Sequence, residues 1–129
     1  MAAVADHMSR NLVTVTADEL LGVAAERMAA RRVGAALVLD GERLVGILTE
    51  RDVLRAVAAG GVDTALVSSW MTAGPETIEP DETTEHAAVL MIHGGFRHLP
   101  VVEDGSPVGI ISIRDLVRIT LEDSAPRGA

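Results

Sequence analysis

The heptapeptide GILTERD at residues 46–52 returns later in the chain as GIISIRD at residues 109–115. The match extends to both sides, because residues 8–55 can be laid on residues 71–118 at a constant offset of 63 without a gap. A fixed internal period defines the structural unit before any local propensity is considered. The sequence therefore predicts two copies of one fold, related by pseudo-two-fold symmetry. Identical pairs outside the heptapeptides include Met8 and Met71, Thr14 and Thr77, and Arg55 and Arg118.

Each copy is predicted to run strand, helix, strand, strand, helix, giving an α+β fold of small mixed sheets packed with helices. In the first copy, residues 12–16 alternate apolar and polar side chains, as a half-buried strand does. Thr16 and Glu19 have the spacing of a capping box, so we expect a helix to begin at Thr16. The apolar runs 35–39 and 44–48 flank an Asp-Gly turn and predict a hairpin, after which the second helix follows.

The repeat also predicts the division of the chain into domains. The first domain is expected at residues 7–61 and the second at residues 71–122, each holding one copy. Residues 62–70 are too apolar for a flexible linker and are interpreted as a packed connecting strap. Residues 1–6 and 123–129 are expected to be frayed ends.

Composition narrows the class of protein and of partner. Nineteen acidic against eleven basic residues give a net charge of −8, which is the wrong sign for neutralising a phosphate backbone. One Trp, one Phe and no Tyr leave few platforms on which single-stranded bases could stack, so nucleic acid is an unexpected partner. No apolar run approaches the roughly 20 residues of a membrane span, and the first residues lack a basic region leading into an apolar run. A cytoplasmic location without membrane insertion is the expectation.

The sequence contains no recognisable catalytic or metal-binding constellation. Cysteine is absent, the serines lack the glycine-flanked elbow of hydrolases, and no glycine-rich loop carries the lysine of a P-loop. His86 and His93 lie nearly on one face of a predicted helix, and a metal site can be imagined there. We interpret them instead as ordinary polar positions, because the first copy has no equivalent. The chain is therefore predicted to be neither an enzyme nor a metalloprotein, and to require no cofactor.

The heptapeptide itself supports two interpretations. Thr49 followed three residues later by Asp52 is the pattern of a helix N-cap, and Ser112 with Asp115 repeats it. The same residues also suit a ligand, since a hydroxyl at a helix N-terminus favours an anion and a carboxylate can accept from both hydroxyls of a ribose. Capping and binding can coexist. The arginines that recur in both copies, with Arg51 and Arg114 in the heptapeptides, offer local positive charge for a small phosphorylated ligand.

Both heptapeptides begin with glycine inside an apolar strand. Glycine weakens a strand, so Gly46 and Gly109 suggest that something approaches the backbone closely at each place. We expect the flat edge of a ligand there.

With these motifs the sequence resembles a pair of cystathionine β-synthase (CBS) domains, often called a Bateman module. The resemblance covers about residues 7–122 and rests on two copies of G-h-h-[TS]-x-x-D in register. Met8-Ser9 and Met71-Thr72 open the two repeats, and Arg97-His98-Leu99-Pro100 stands in the second. The family binds adenosine compounds such as AMP, ADP, ATP or S-adenosylmethionine in the cleft between the two motifs.

The resemblance implies roles for particular residues of this chain. Asp52 and Asp115 correspond to the ribose-binding acids, and Thr49 and Ser112 to the hydroxyl residues nearest the phosphate. The wall that receives the base corresponds to Thr14, Val15, Thr77 and Ile78. Additional contacts to the phosphate correspond to Arg97 and His98. Since the first copy has Gly34 to Leu37 where the second has Arg97 to Pro100, the two clefts are expected to differ in charge.

The predicted function is a stand-alone sensor that binds an adenosine-containing ligand and transmits its occupancy to a dimer or partner interface. The expected partners are the small molecule, a second copy in a homodimer and an unidentified effector protein. The alternative is an interaction module whose clefts are empty and which works by dimerisation. Apolar helix positions such as Leu54, Val57 and Leu121 would build its interface.

Overall fold

The first copy of the repeat builds a four-stranded sheet. This computed structural model describes residues 2–124. The strands of the sheet lie side by side in chain order, namely β1 (Thr14–Val15), β2 (Ala35–Asp40), β3 (Arg43–Thr49) and β4 (Thr72–Ala73). β1 is parallel to β2, and the other neighbours are antiparallel. Three helices belong to this copy and its connection, namely α1 (Leu21–Arg31), α2 (Glu50–Ala59) and α3 (Val67–Trp70).

The second copy repeats this plan with a smaller sheet. Its hairpin consists of β5 (His98–Glu103) and β6 (Ser106–Ser112), and its helices are α4 (Thr84–Gly94) and α5 (Ile113–Ser124). Single bridges extend the hairpin on both sides, with Ile78 parallel to Val101 and Ser9 antiparallel to Ile110. The predicted α+β fold of tandem repeats is confirmed.

The hairpin of each copy is extended by the residues that open the other copy. Thr72, at the opening of the second repeat, pairs with Ile47 of the first. Ser9, at the opening of the first repeat, pairs with Ile110 of the second, at the equivalent position. The described chain accordingly divides into one compact unit of residues 11–75 and 104–107 and another of residues 2–10, 76–103 and 108–124. This division follows the compactness of the fold and not the repeat in the sequence. The domain bounds 7–61 and 71–122 therefore stay a prediction.

Each unit has its own apolar core, made by one face of its sheet and by its helices. In the first unit the buried residues are Val13, Val15, Leu21, Ala24, Met28, Ala36, Val38, Leu48, Ala56 and Val67. In the second they are Val4, Ile78, Ala87, Met91, Leu99, Val101 and Ile111. Within residues 2–124, no helix is both long enough and apolar enough to span a bilayer.

The prediction that residues 1–6 fray is wrong for residues 2–6. Val4 is fully buried in the second core, and residues Val4–Asp6 form a short 3₁₀ helix. The Val4 N–H donates to the Glu82 carbonyl oxygen at 2.8 Å, and the Thr84 N–H donates to the Ala2 carbonyl oxygen at 3.0 Å. The segment is ordered because its partners lie far away in sequence, where a local pattern gives no sign of them. Residues 125–129 lie outside the described residues.

The start of the first helix also differs from the prediction. α1 begins at Leu21 rather than at Thr16, and its N-cap residue Leu20 makes no side-chain capping bond. Half of the predicted capping box is present, because the Thr16 N–H donates to the Glu19 carboxylate at 3.2 Å. The backbone carbonyl of Glu19, however, accepts a hydrogen bond from Val67 at 2.9 Å. The connecting segment therefore holds this stretch out of the helix.

Candidate functional site

The first heptapeptide spans the junction between β3 and α2. The Asp52 N–H donates to the Thr49 hydroxyl at 3.4 Å, and the Thr49 N–H donates back to Asp52 Oδ2 at 2.9 Å. The Thr49 hydroxyl also donates to Asp52 Oδ2 at 3.0 Å. This reciprocal arrangement is a capping box, which satisfies donors that the helix leaves open at its N-terminus.

The second heptapeptide makes the same bonds at the junction between β6 and α5. Ser112 donates to Asp115 Oδ2 from its N–H at 2.8 Å and from its hydroxyl at 3.0 Å. The Asp115 N–H donates to the Ser112 hydroxyl at 3.2 Å. The capping interpretation is therefore confirmed at both heptapeptides, and any ligand role must be carried by the atoms that capping leaves available.

Those atoms are the Oδ1 oxygens of the two aspartates. Asp52 and Asp115 are buried, with 7% and 9% of their surface exposed, respectively. Asp52 Oδ1 faces Arg55 Nη1 at 3.4 Å, and Asp115 Oδ1 faces Arg118 Nη1 at 3.3 Å. Charge-assisted hydrogen bonds normally measure about 2.7–2.9 Å, so these contacts are long and weak. Each Oδ1 can therefore accept from a further donor.

The segment that differs most between the copies lies beside each junction. The Glu50 N–H, at the start of α2, donates to the Gly34 carbonyl oxygen at 3.0 Å. The Ile113 N–H, at the start of α5, donates to the Arg97 carbonyl oxygen at 2.9 Å. The structure thus brings Arg97 next to the second heptapeptide and leaves a glycine, with no side chain, next to the first.

The other predicted phosphate-binding residues are placed less closely. Arg51 and Arg114 are exposed on the first turns of α2 and α5, one residue before each aspartate. Arg97 is exposed, and His98 is half-buried at the start of β5. The three arginine side chains are therefore accessible to an anion in solvent.

The predicted base wall is only partly available. Val15 and Ile78 are 3% and 4% exposed, and their side chains pack in the two apolar cores. Core packing already uses both side chains, and their contact with a base stays a prediction. Thr14 is exposed and Thr77 half-exposed, so their side chains remain accessible.

The glycines of the heptapeptides have a close neighbour, but it is not a ligand. A Cβ added at Gly46 would lie 2.7 Å from the sulfur of Met71 and 3.2 Å from the Thr72 carbonyl oxygen. At Gly109 the clash would be with the Met8 side chain and with the Ser9 carbonyl oxygen at 3.1 Å. Close packing against the segment that opens the other copy accounts for both glycines, and the ligand edge expected there stays a prediction. The matched pair Met8 and Met71 was the sequence signal for this contact.

Filling the space beside these glycines is expected to destabilise the fold. Gly46→Val and Gly109→Val should each lower the free energy of unfolding by about 1–3 kcal/mol, the usual cost of overpacking. Urea denaturation followed by circular dichroism measures the change. The control is Gly22→Ala, since no atom lies within 4 Å of its added Cβ. That substitution, in the first turn of α1, should instead stabilise by about 0.4–1 kcal/mol, because alanine restricts the unfolded chain. Wild-type stability of Gly46→Val would show that the Met71 contact is unimportant.

A shallow depression lies at the β1 edge of the first unit. Thr14, Val15 and Thr16 form one side, and an ion pair between Arg27 and Glu19 at 2.9 Å closes another. Its volume of about 160 Å³ is below the roughly 300 Å³ of typical ligand pockets. The depression is therefore too small to enclose a nucleoside on its own. Among residues 2–124, no group of three or more His, Asp or Glu side chains is arranged to hold a metal ion.

Comparison with models of known protein families supports the repeat seen in the sequence and the structure. The model of the CBS domain matches residues 4–59 and again residues 67–122. The chain belongs to the CBS-domain family. Its two copies are a CBS domain pair, and the resemblance seen in the sequence is confirmed.

Two solved structures and one curated protein are similar to this chain in sequence, and the two structures also in fold. A CBS domain protein from Pyrobaculum aerophilum, complexed with AMP, is 30% identical, with 94% of this chain and 97% of that chain covered and a TM-score of 0.86. The CBS domain pair of protein MJ0100, in complex with 5′-methylthioadenosine and S-adenosyl-L-methionine, is 25% identical, with coverage of 96% and 99% and a TM-score of 0.90. A 17.7 kDa protein of Acidianus ambivalens is 38% identical over 77% of this chain. The chain spans 61% of the length of that curated relative.

Proposed function

We propose that this CBS pair is a regulatory module that senses an adenosine-containing ligand. The observation that carries the proposal is the state of the two buried aspartates, whose Oδ2 atoms complete the helix caps while their Oδ1 atoms make only long contacts to exposed arginines. A buried carboxylate oxygen with spare acceptor capacity suits the vicinal hydroxyls of a ribose. The relatives complexed with AMP, and with 5′-methylthioadenosine and S-adenosylmethionine, support this ligand class.

In the proposed complex, the residues of each heptapeptide hold one part of the ligand. Asp52 or Asp115 accepts from the ribose at Oδ1, and the dipole of the helix that Thr49 or Ser112 caps favours a phosphate near its N-terminus. Arg51 and Arg114 add positive charge from the first turns of α2 and α5, while Thr14 and Thr77 provide polar side chains for the base. No catalytic step is part of the proposal.

The two repeats are proposed to bind with different strength. Arg97 and His98 flank the second heptapeptide, whereas Gly34 and Ala35 occupy the matching places beside the first. An anionic ligand such as AMP, ADP or ATP should therefore favour the second repeat. S-adenosylmethionine, whose sulfonium end is positive, should show less preference between the two.

The direct test is to identify the ligand. Denaturing the purified protein and analysing the released small molecules by mass spectrometry should show any bound nucleotide. Isothermal titration with AMP, ADP, ATP and S-adenosylmethionine then gives the affinity, with UMP as a control for the base. A ligand at 100 times its Kd should stabilise the folded state by about 2.7 kcal/mol, which a melting curve detects. The proposal is wrong if none of the four binds at millimolar concentration.

Occupancy is proposed to reach other molecules through the exposed apolar faces of the helices. Leu54 and Val57 on α2 and Val117 and Leu121 on α5 are each more than half exposed. Such side chains commonly mark protein contacts when they group together. A homodimer formed through these faces is part of the proposal, and the same faces favour the alternative of an interaction module that needs no ligand.

A further inference from the structure

The oxygen proposed to accept from the ribose already has an arginine beside it in each repeat. Arg55 approaches Asp52 Oδ1 and Arg118 approaches Asp115 Oδ1, in both cases one helical turn beyond the aspartate. The arginine side chains are 63% and 56% exposed, so they can move without disturbing a core. A ligand hydroxyl that donates to Oδ1 must share this acceptor with the arginine or displace it.

Arg55 has a second partner. Its guanidinium carbon lies 5.6 Å from the centroid of the Trp70 ring, within the range of roughly 6 Å for a cation–π contact. Trp70 is the last residue of α3 and packs partly against the first core. At the offset of 63, the residue of the other repeat that corresponds to Trp70 is His7. Trp70 is the only tryptophan in the sequence. Contact between the arginine and an indole is therefore a feature of the first repeat.

Trp70 belongs to a segment that holds the start of α1. Within that segment, the Val67 N–H donates to the Glu19 carbonyl oxygen and the Ser68 N–H to the Ala17 carbonyl oxygen, both at 2.9 Å. Trp70 lies two residues beyond Ser68, in the same segment that connects the two repeats.

We propose that Arg55 couples ligand occupancy at Asp52 to Trp70 and, through Trp70, to the connecting segment of residues 62–70. The carboxylate and the indole hold the guanidinium from two sides. When a ribose hydroxyl takes Asp52 Oδ1, Arg55 loses its partner on one side and moves off the ring. Arg55 is thus a positioning residue that turns binding at the first heptapeptide into a change at the connecting segment. The inference rests on the proposed function for its ligand, but the coupling can be tested without one.

The ligand-free test measures how readily acrylamide quenches the emission of Trp70. Excitation at the red edge reports this residue alone, because the chain has one tryptophan and no tyrosine. Arg55→Ala uncovers the ring and should raise the quenching constant. Asp52→Asn, which keeps the shape of the side chain and removes its charge, should move the constant toward the Arg55→Ala value. The matched variants Arg118→Ala and Asp115→Asn should leave it at the wild-type value, and circular dichroism should confirm that all four are folded.

The ligand test repeats the quenching measurement during calorimetric titrations with AMP and S-adenosylmethionine. Saturation should raise the quenching constant of the wild-type protein and of Arg118→Ala, and the response should be lost in Arg55→Ala. The coupling is overturned if Asp52→Asn quenches like the wild-type protein, or if a ligand binds at the first heptapeptide without changing the quenching. If Asp52→Asn responds as expected but no ligand binds, the coupling stands and the proposed ligand class fails.

Discussion

Deletion of residues 1–9 is expected to unfold the second unit or to leave it barely stable. The deletion removes Val4, whose fully buried side chain contributes about 1.5–3 kcal/mol. It also removes the paired bonds between Ser9 and Ile110, at 2.8 and 3.0 Å, and the bonds from Val4 and Ala5 to the chain before α4. Each such bond contributes about 0.5–1.5 kcal/mol. The sum is a large part of the roughly 5–15 kcal/mol that stabilises a typical domain.

Urea denaturation followed by circular dichroism measures this loss. Two point variants distinguish the stability contributed by the buried Val4 side chain from a general effect of changing the N-terminal segment. Val4→Ala should reproduce part of the destabilisation, because it leaves a cavity in the second core. Asp6→Ala, at an exposed position of the same short helix, should stay within about 0.5 kcal/mol of the wild-type value. An unchanged unfolding midpoint after the deletion would mean that the N-terminal segment contributes little to the second unit.

The order of the elements was predictable because its signals are local. The Asp-Gly turns, the apolar runs of the hairpins and the hydroxyl-to-acid spacing of the caps all act within a few residues of one another. Thr16 shows where such signals fail. Its capping partner Glu19 is also held by Arg27, at 2.9 and 3.0 Å, and by the backbone of Val67. Arg27 lies eight residues further along the chain and Val67 lies in the connecting segment, so neither partner belongs to the four-residue pattern from which a capping box is predicted.

The parts of the candidate site that depend on local signals were also predictable. Repetition of the heptapeptide located Asp52 and Asp115, and the cap that holds them follows from their spacing. Repetition of Met8 and Met71 marked these residues, but it could not show that each packs against the glycine of the other copy, because the pairing joins residues far apart in sequence. The contact of Arg55 with Trp70 was also hidden, since it joins two residues that are 15 positions apart and belong to different elements.

Asp52→Ala and Asp115→Ala are expected to abolish strong ligand binding at their own repeats. Each removes the oxygen proposed to accept from the ribose, and a hydrogen bond to a charged group contributes about 1.5–3 kcal/mol. Since about 1.4 kcal/mol is tenfold in affinity, each substitution should weaken binding at its repeat by about tenfold to a hundredfold. Isothermal titration measures the loss, and the double variant should show no binding in the range where the wild-type protein is saturated.

The same substitutions also remove a helix cap, which typically costs about 0.5–2 kcal/mol of stability. The matched control is therefore Thr83→Ala, because the Thr83 hydroxyl caps α4 by accepting from the His86 N–H at 3.1 Å and lies outside both heptapeptides. A comparable fall in stability with wild-type affinity in Thr83→Ala assigns the binding loss to the aspartates themselves. Sedimentation of the same samples separates the two functions. A sensor should lose its ligand response while self-association persists, whereas a module that acts by dimerisation alone should associate equally in every variant and bind none of the nucleotides even in its wild-type form.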